Sequence, residues 1–230
     1  MAIDSRNKPG WHRLSCYLGF LILTVAGCAS TPAPPPQTPI ITHYNQVALL
    51  PFANAAAIFE EGSQVRNPLT SKVFTTGAVP DGAPAVLTRI LWEQLRAKTT
   101  TSLIPPEQSV GERAEMLSET ADFRERRMVA ELGRRQGADA VLLGTLYRYR
   151  ERVGLNYAAD TPAAVTFDLI LLDTASGRVV WWRSFDEVQQ ALSENLLKIG
   201  TFLKDKGRWL TAAQMSSRAL EEMTTVLCQP

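Results

Sequence analysis

The chain has 230 residues, 45% of them hydrophobic and 20% charged, which is enough to bury one full core and too little for two large domains. Lys and Arg number 24 against 23 Asp and Glu, so there is no cationic excess to hold a polyanion, and nucleic acid is not expected as a partner. Two histidines and three cysteines leave most metal-site and triad chemistry without ligands or bases.

Arg6, Lys8 and Arg13 precede an uncharged apolar run from Leu14 to Gly27. As a helix this run would span ~21 Å, short of the ~30 Å hydrocarbon core, so residues 1–27 are expected to be a cleaved signal peptide rather than an anchor. The run closes on Val25-Ala26-Gly27-Cys28, which resembles the bacterial lipobox: an aliphatic residue, two small residues and a cysteine whose thiol accepts diacylglycerol. The resemblance makes Cys28 the lipidation site. Ala29 and Ser30 follow it with no Asp, which by the same resemblance implies sorting to the outer membrane, facing the periplasm. Two or three acyl chains, each contributing ~0.8 kcal/mol per buried methylene, hold a protein on a membrane where one chain does not. The membrane is therefore an expected partner through the lipid. Residues 28–45 hold the run Thr-Pro-Ala-Pro-Pro-Pro-Gln-Thr-Pro, read as a semi-rigid tether because proline lacks an N–H and fixes φ.

Residues 46–230 are read as a single periplasmic domain. Gln46 to Phe52 is a nearly continuous apolar run stopped at Pro51, the pattern of a strand buried on both faces. Ala53 to Ala83 shows no sustained period and is expected to be a long loop, the first suspect for function. Pro84 opens a helix through Lys98, with Val86, Leu87, Ile90, Leu91 and Leu95 on one face. Thr100 to Ile104 reads as a short strand. Glu112 to Gln136 reads as a charged helix held by Phe123, Val129 and Leu132, and Gly137 is placed to be its left-handed cap. Three strand-like runs follow, Ala138 to Arg152, Ala163 to Thr174 and Arg178 to Gln189, expected to form a meander with a tight turn at Asp173 to Gly177 and an exposed connection at 154–162. Leu192 to Leu203 is amphipathic. Thr211 and Gln214 form a capping box for a last helix, with Leu210 and Met215 as a staple and Met215, Ala219, Met223 and Val226 as its buried stripe. The order β-α-β-α-β-β-β-α-α predicts an α/β (α+β) fold, a mixed sheet of about five strands with helices packed against it.

The chemical inventory is thin. His43 lies just before the first strand and reads as a surface residue. Asp168, Asp173, Asp186 and Glu187 could pair for glycosidic cleavage, but turn and edge duties account for them. Cys228 reads as a thiol at a frayed end, or else as a site of intermolecular pairing. No dinucleotide fingerprint or phosphate-binding loop is present, and no cofactor is expected. In Tyr147 to Arg152, strict alternation would put Tyr147, Tyr149 and Glu151 on one face and Arg148, Arg150 and Arg152 on the other, a cationic face that meets either water or an acidic partner. Trp181 and Trp182 must point to opposite faces, one to the core and one outward as an anchor.

Val47-Ala48-Leu49-Leu50-Pro51-Phe52, Gly137 to Thr145 and the Asp173 to Trp181 hairpin resemble envelope lipoproteins whose domain is like the amino-terminal domain of the Tol-system periplasmic protein. That group includes the penicillin-binding-protein activator lipoproteins and the curli secretion lipoprotein. The resemblance covers roughly residues 46–188, and Phe185-Asp186-Glu187, Leu192 to Leu196 and Gly207 to Leu210 look like one branch of such lipoproteins. It brings no catalytic residues, and the chain shows no membrane-spanning hairpins of the kind a secretion pore needs. The reading it implies is a non-enzymatic lipoprotein that docks on an envelope protein as regulator or assembly factor, through Arg148, Arg150, Arg152, Trp182, Val73 and Phe74. The alternatives are a peptidoglycan or small-ligand binder and a cell-wall hydrolase using Asp186 or Glu187. Oligomeric state is left open.

Overall fold

Strand β1 (Gln46–Leu49) sends Val47 and Leu49 to one side and Ala48 to the other, and all three are buried, so it needs cover above and below. The computed structural model describes residues 40–110, 126–155, 158–189 and 210–228 and supplies that cover. Residues 1–39, which hold the expected signal peptide, Cys28 and most of the expected tether, lie outside the described residues, as do Phe123 and the Leu192 to Leu203 segment. The last residues expected in the tether belong to the domain instead: Ile41–His43 form a 3-10 turn, and Ile41 is buried in the first-face core because its side chain is apolar.

After β1 the chain meets Pro51, which has no N–H to give a ladder, and the strand breaks. It resumes as β2 (Ala53–Asn54), which pairs with the same neighbour further along. At the break, Phe52 turns onto the first face of the sheet, where its ring lies over Gly144. A β-carbon at 144 would sit 2.4 Å from that ring, so the close packing needs glycine.

The stretch from Ala53 to Ala83 holds a hairpin rather than an unstructured loop: β3 (Gln64–Arg66) pairs antiparallel with β4 (Val73–Thr75). Helix α1 (Ala83–Lys98) has Pro84 in its first turn and buries Leu87, Leu91 and Leu95 completely, each contributing ~1.5–3 kcal/mol by burial. Strand β5 (Ser102–Ile104) follows, then a helical turn at 106–110, then α2 (Arg126–Arg135), which buries Val129 and Leu132. Gly137 has φ +72° and closes α2 as expected, with Ala138 N donating to Gly133 O at 2.8 Å.

The meander is β6 (Ala140–Arg150), β9 (Ala164–Asp173) and β10 (Val179–Val188), antiparallel throughout. The connection between β6 and β9 is itself a small hairpin, β7 (Val153–Leu155) with β8 (Ala158–Thr161). The turn at Asp173 to Gly177 forms as predicted, with Asp173 Oδ1 accepting from Ser176 N at 2.7 Å and Gly177 at φ +65°. The main sheet runs β10-β9-β6-β1-β5, with β1 parallel to both neighbours. This is the mixed α/β sheet the element order predicts.

Helix α3 (Ala212–Cys228) and α1 cover the first face, against Val47, Leu49, Leu142, Phe167 and Trp181. Helix α2 covers part of the second face, against Ala48, Leu50, Ile104, Val141 and Leu172. The capping box at the start of α3 is made: Gln214 N donates to Thr211 Oγ1 at 3.1 Å and Thr211 N to Gln214 Oε1 at 3.0 Å. Two expectations fail here. Val226 is only half-buried, and Leu220 and Leu227 take the stripe instead, because α3 also packs along α1, where Lys98 Nζ donates to Thr224 and Thr225 Oγ1. Cys228 is no frayed-end thiol: it is buried in the first-face core, and burial pushes its thiol up to about 11.

Candidate functional site

The second face of β6 and β9 carries Asp168, a carboxylate with 0% exposure and, among the described residues, no cation paired with it. Its oxygens are occupied by donors instead. Asn67 Nδ2 donates to Oδ2 at 2.7 Å, the Tyr147 hydroxyl to Oδ2 at 3.1 Å, and Thr145 N to Oδ1 at 3.2 Å. Burial raises the Asp168 carboxyl to about 6, and the three donors only partly offset it. The Tyr147 hydroxyl is pushed upward by burial and by the neighbouring Asp168 charge.

The β3–β4 hairpin closes this network. Asn67 begins the hairpin turn, with its Oδ1 accepting from Leu69 N at 2.8 Å while its amide reaches down to Asp168. Phe74 of β4 stacks on Tyr147 with ring centroids 4.1 Å apart. Arg126 Nη2 of α2 donates to Leu69 O at 2.9 Å and ties the turn to the neighbouring helix. Phe74 is therefore core, 2% exposed, and not a docking residue as expected; alternation within β4 turns Val73 outward instead, 43% exposed.

Arg148 and Arg150 share a face opposite Tyr149 as expected, but Tyr147 does not side with Tyr149 and the arginines are engaged within the domain. A β-bulge between Leu146 and Arg148 shifts the register against β9, so Tyr147 and Arg148 both point to the second face while Tyr149 points to the first. Arg148 lies along the backbone of Gly77 and pairs with Asp186 at 2.7 Å, and Asp186 also accepts from Thr166 Oγ1 at 2.8 Å. Arg150 Nε donates to Pro162 O at 3.2 Å, and Arg152 Nη1 to Gly154 O at 3.0 Å. The three arginines hold loops and an acid of this chain. Glu151 accepts from Ala212 N at 3.0 Å, at the positive end of α3.

Trp181 and Trp182 part as predicted, Trp181 into the first-face core and Trp182 outward, 38% exposed. Lys72 sits between hairpin and sheet. Its Nζ lies 5.3 Å from the Phe74 ring and 5.9 Å from the Trp182 ring and donates to Ser184 Oγ. The structure thus brings Lys72 and Trp182 together at the edge of the buried network, while Val73 is exposed on the outer side of β4. Sequence reading missed Asn67 and Lys72 and gave Asp168 a turn or edge duty. Asp168 in fact lies mid-strand in β9, between two other strands. The signal was a lone acid inside the apolar run from Ala163 to Leu172.

The arrangement offers little to a substrate. Both Asp168 oxygens are taken by donors of this chain. Asp186 and Glu187 are consecutive in β10 and point to opposite faces, so they cannot flank one bond. His43 is exposed in a short 3-10 turn, Ile41–His43. Among the described residues no group of three or more His, Cys, Asp and Glu could hold a metal ion, and no helix is long and apolar enough to cross a membrane.

No family model matches the chain, and no curated protein does. Solved structures resemble it distantly. The PelC dodecamer from Paraburkholderia phytofirmans is similar at TM-score 0.46 and 15% identity, over 81% of this chain and 89% of that one. A lipoprotein from Neisseria meningitidis gives 0.36 and 18% over 70% and 93%, and the LpoB C-terminal domain from Salmonella enterica 0.38 and 15% over 66% and 96%. Likeness at this level assigns neither function nor partner.

Proposed function

We propose that this chain is an exported lipoprotein, held by lipid on Cys28 at the periplasmic side of the outer membrane, whose domain docks on an envelope protein as a regulator or assembly factor and turns over no substrate. The observation that carries the docking reading is Trp182: a large aromatic on the second face, 38% exposed, set in a strand, with the Lys72 ammonium over its ring; Val73, next to Lys72 in the chain, is exposed on the hairpin. An exposed indole beside a cation is the composition of an interface anchor. Of the residues expected to dock, Trp182 and Val73 remain in the proposal. Arg148, Arg150, Arg152 and Phe74 leave it, because each is engaged within the domain.

The test places a photo-crosslinking residue at position 73 of the full chain in intact cells, with position 93 on the exposed face of α1 as control. Capture of one envelope protein at 73 only, weakened by Trp182→Ala, is the expected result. Equal yields at both positions, or sedimentation of the protein with purified sacculi and no protein crosslink, would overturn docking and favour the wall-binding reading. The anchor is tested separately, by loss of labelled palmitate from a Cys28→Ala chain.

A further inference from the structure

We propose that two copies of this chain join through the outer edges of their β10 strands, antiparallel about a two-fold axis at Phe185, with Arg183 of each copy opposite Glu187 of the other. The inference does not rest on the docking reading: its argument uses the strand edge and two first-face charges, and its test reverses Arg183 and Glu187 and leaves Trp182, which borders both surfaces, unchanged.

Strand β10 ends the sheet. It pairs with β9 on one side, and among the described residues no strand pairs with the other. It is 10 residues long, against 3 for β5 at the opposite edge, and a long open edge is a template for another strand. The direction of its peptide groups follows from the last bond of the β9–β10 ladder, where Gln189 N donates to Ala163 O at 2.9 Å. Alternation then turns the peptide groups of Glu187, Phe185 and Arg183 toward β9 and those of Val188, Asp186, Ser184 and Trp182 outward. The same alternation puts the side chains of Trp181, Arg183, Phe185 and Glu187 on the first face and those of Trp182, Ser184 and Asp186 on the second.

Arg183 and Glu187 make no ion pair with any described residue. They cannot satisfy each other within one strand, where four residues separate them by ~13 Å. Across an antiparallel copy they can. Extending the sheet about a two-fold axis keeps each face on its own side, so first-face residues meet first-face residues. With the axis at Phe185, Arg183 faces Glu187 of the partner subunit twice over, the two Phe185 rings meet at the non-hydrogen-bonded centre, and Trp182 faces the partner's Val188. The outward peptide groups of Ser184 and Asp186 then bond each other across the seam. No neighbouring register does this. An axis at Ser184 leaves Arg183 opposite an aromatic ring and sets Trp182 against Asp186, and an axis at Trp182 sets Arg183 against Trp181. An axis at Arg183, Asp186 or Glu187 sets a charge against its own copy. The charges therefore select one register and discourage pairing with unrelated strands.

The test uses the full chain purified in mild detergent, with mass measured by light scattering after subtraction of the detergent. Wild type is expected to be a dimer. Arg183→Glu and Glu187→Arg each set like charges opposite one another at two places and should weaken the dimer about tenfold or more. An equimolar mixture of the two variants should dimerise like wild type, because Glu at 183 in one copy then meets Arg at 187 in the other, and Arg183 of the second meets Glu187 of the first. Far-UV circular dichroism checks that each variant is folded. A wild-type chain that stays monomeric at every concentration reached, a dimer indifferent to either reversal, or single variants that fail to recover on mixing would each overturn the proposal.

Discussion

Replacing Asp168 by Asn removes the buried titration beneath the hairpin while keeping the size of the side chain. Folding raises this carboxyl from 3.8 to about 6, so the native state holds the proton more tightly than the unfolded chain does. The stabilisation that results is complete below the unfolded value and is lost as pH rises through about 6. At ~1.4 kcal/mol per pH unit the difference is ~3 kcal/mol, and full burial leaves little solvent screening to reduce it. The asparagine variant lacks this term. Its amide must also turn an N–H toward the Thr145 N–H or toward the Asn67 and Tyr147 donors, a pH-independent cost of ~1–3 kcal/mol. Urea unfolding followed by tryptophan fluorescence across a pH series reads both. The margin of wild type over Asp168→Asn should shrink by ~3 kcal/mol between about pH 3.5 and about pH 7.5, and every other titrating group cancels in the difference. A margin that stays constant over that range would refute the reasoning, since Asp168 would then titrate like an exposed carboxylate.

Gly144→Ala drives a methyl into the Phe52 ring and should cost ~1–3 kcal/mol, partly recovered by adding Phe52→Leu; an unchanged urea midpoint contradicts the close approach. Phe74→Ala should cost ~3–5 kcal/mol through loss of its stack on Tyr147, while Val73→Ser on the same strand should stay within ~0.5 kcal/mol. Glu151→Ala uncaps α3 and should cost ~1 kcal/mol, visible as a lower melting temperature. Peptide mapping after thiol labelling should find Cys228 unmodified in the native protein and modified in urea, because the thiol is both buried and held protonated.

The comparison of sequence with structure divides along the range of the interactions involved. The double-sided apolar run at β1, the proline that starts α1, the capping box of α3, the glycine after α2 and the Asp173 turn are each set by a few neighbouring residues, and each was legible. What alternation misread was the end of β6. One extra residue between Leu146 and Arg148 reverses every face beyond it, and its position depends on how β6 registers against β9, not on the residues of β6 themselves. The residue so displaced is Tyr147, and the arginines beyond it found acceptors in other parts of the chain, which no strand pattern reveals. The hairpin inside the Ala53 to Ala83 stretch escaped for a related reason: β3 and β4 are three residues each and are held less by their own pattern than by Phe74 on Tyr147 and Asn67 on Asp168.

The sequence by itself determined the mixed sheet, the span of α1, the start of α3 and the outward turn of one of two adjacent tryptophans, because periodicity and local capping act within a turn or a strand. Only the tertiary structure decided that Asp168 is buried against an amide and a phenol, since its partner Asn67 lies 101 positions away and a carboxylate in a strand looks the same whether water or an amide will meet it.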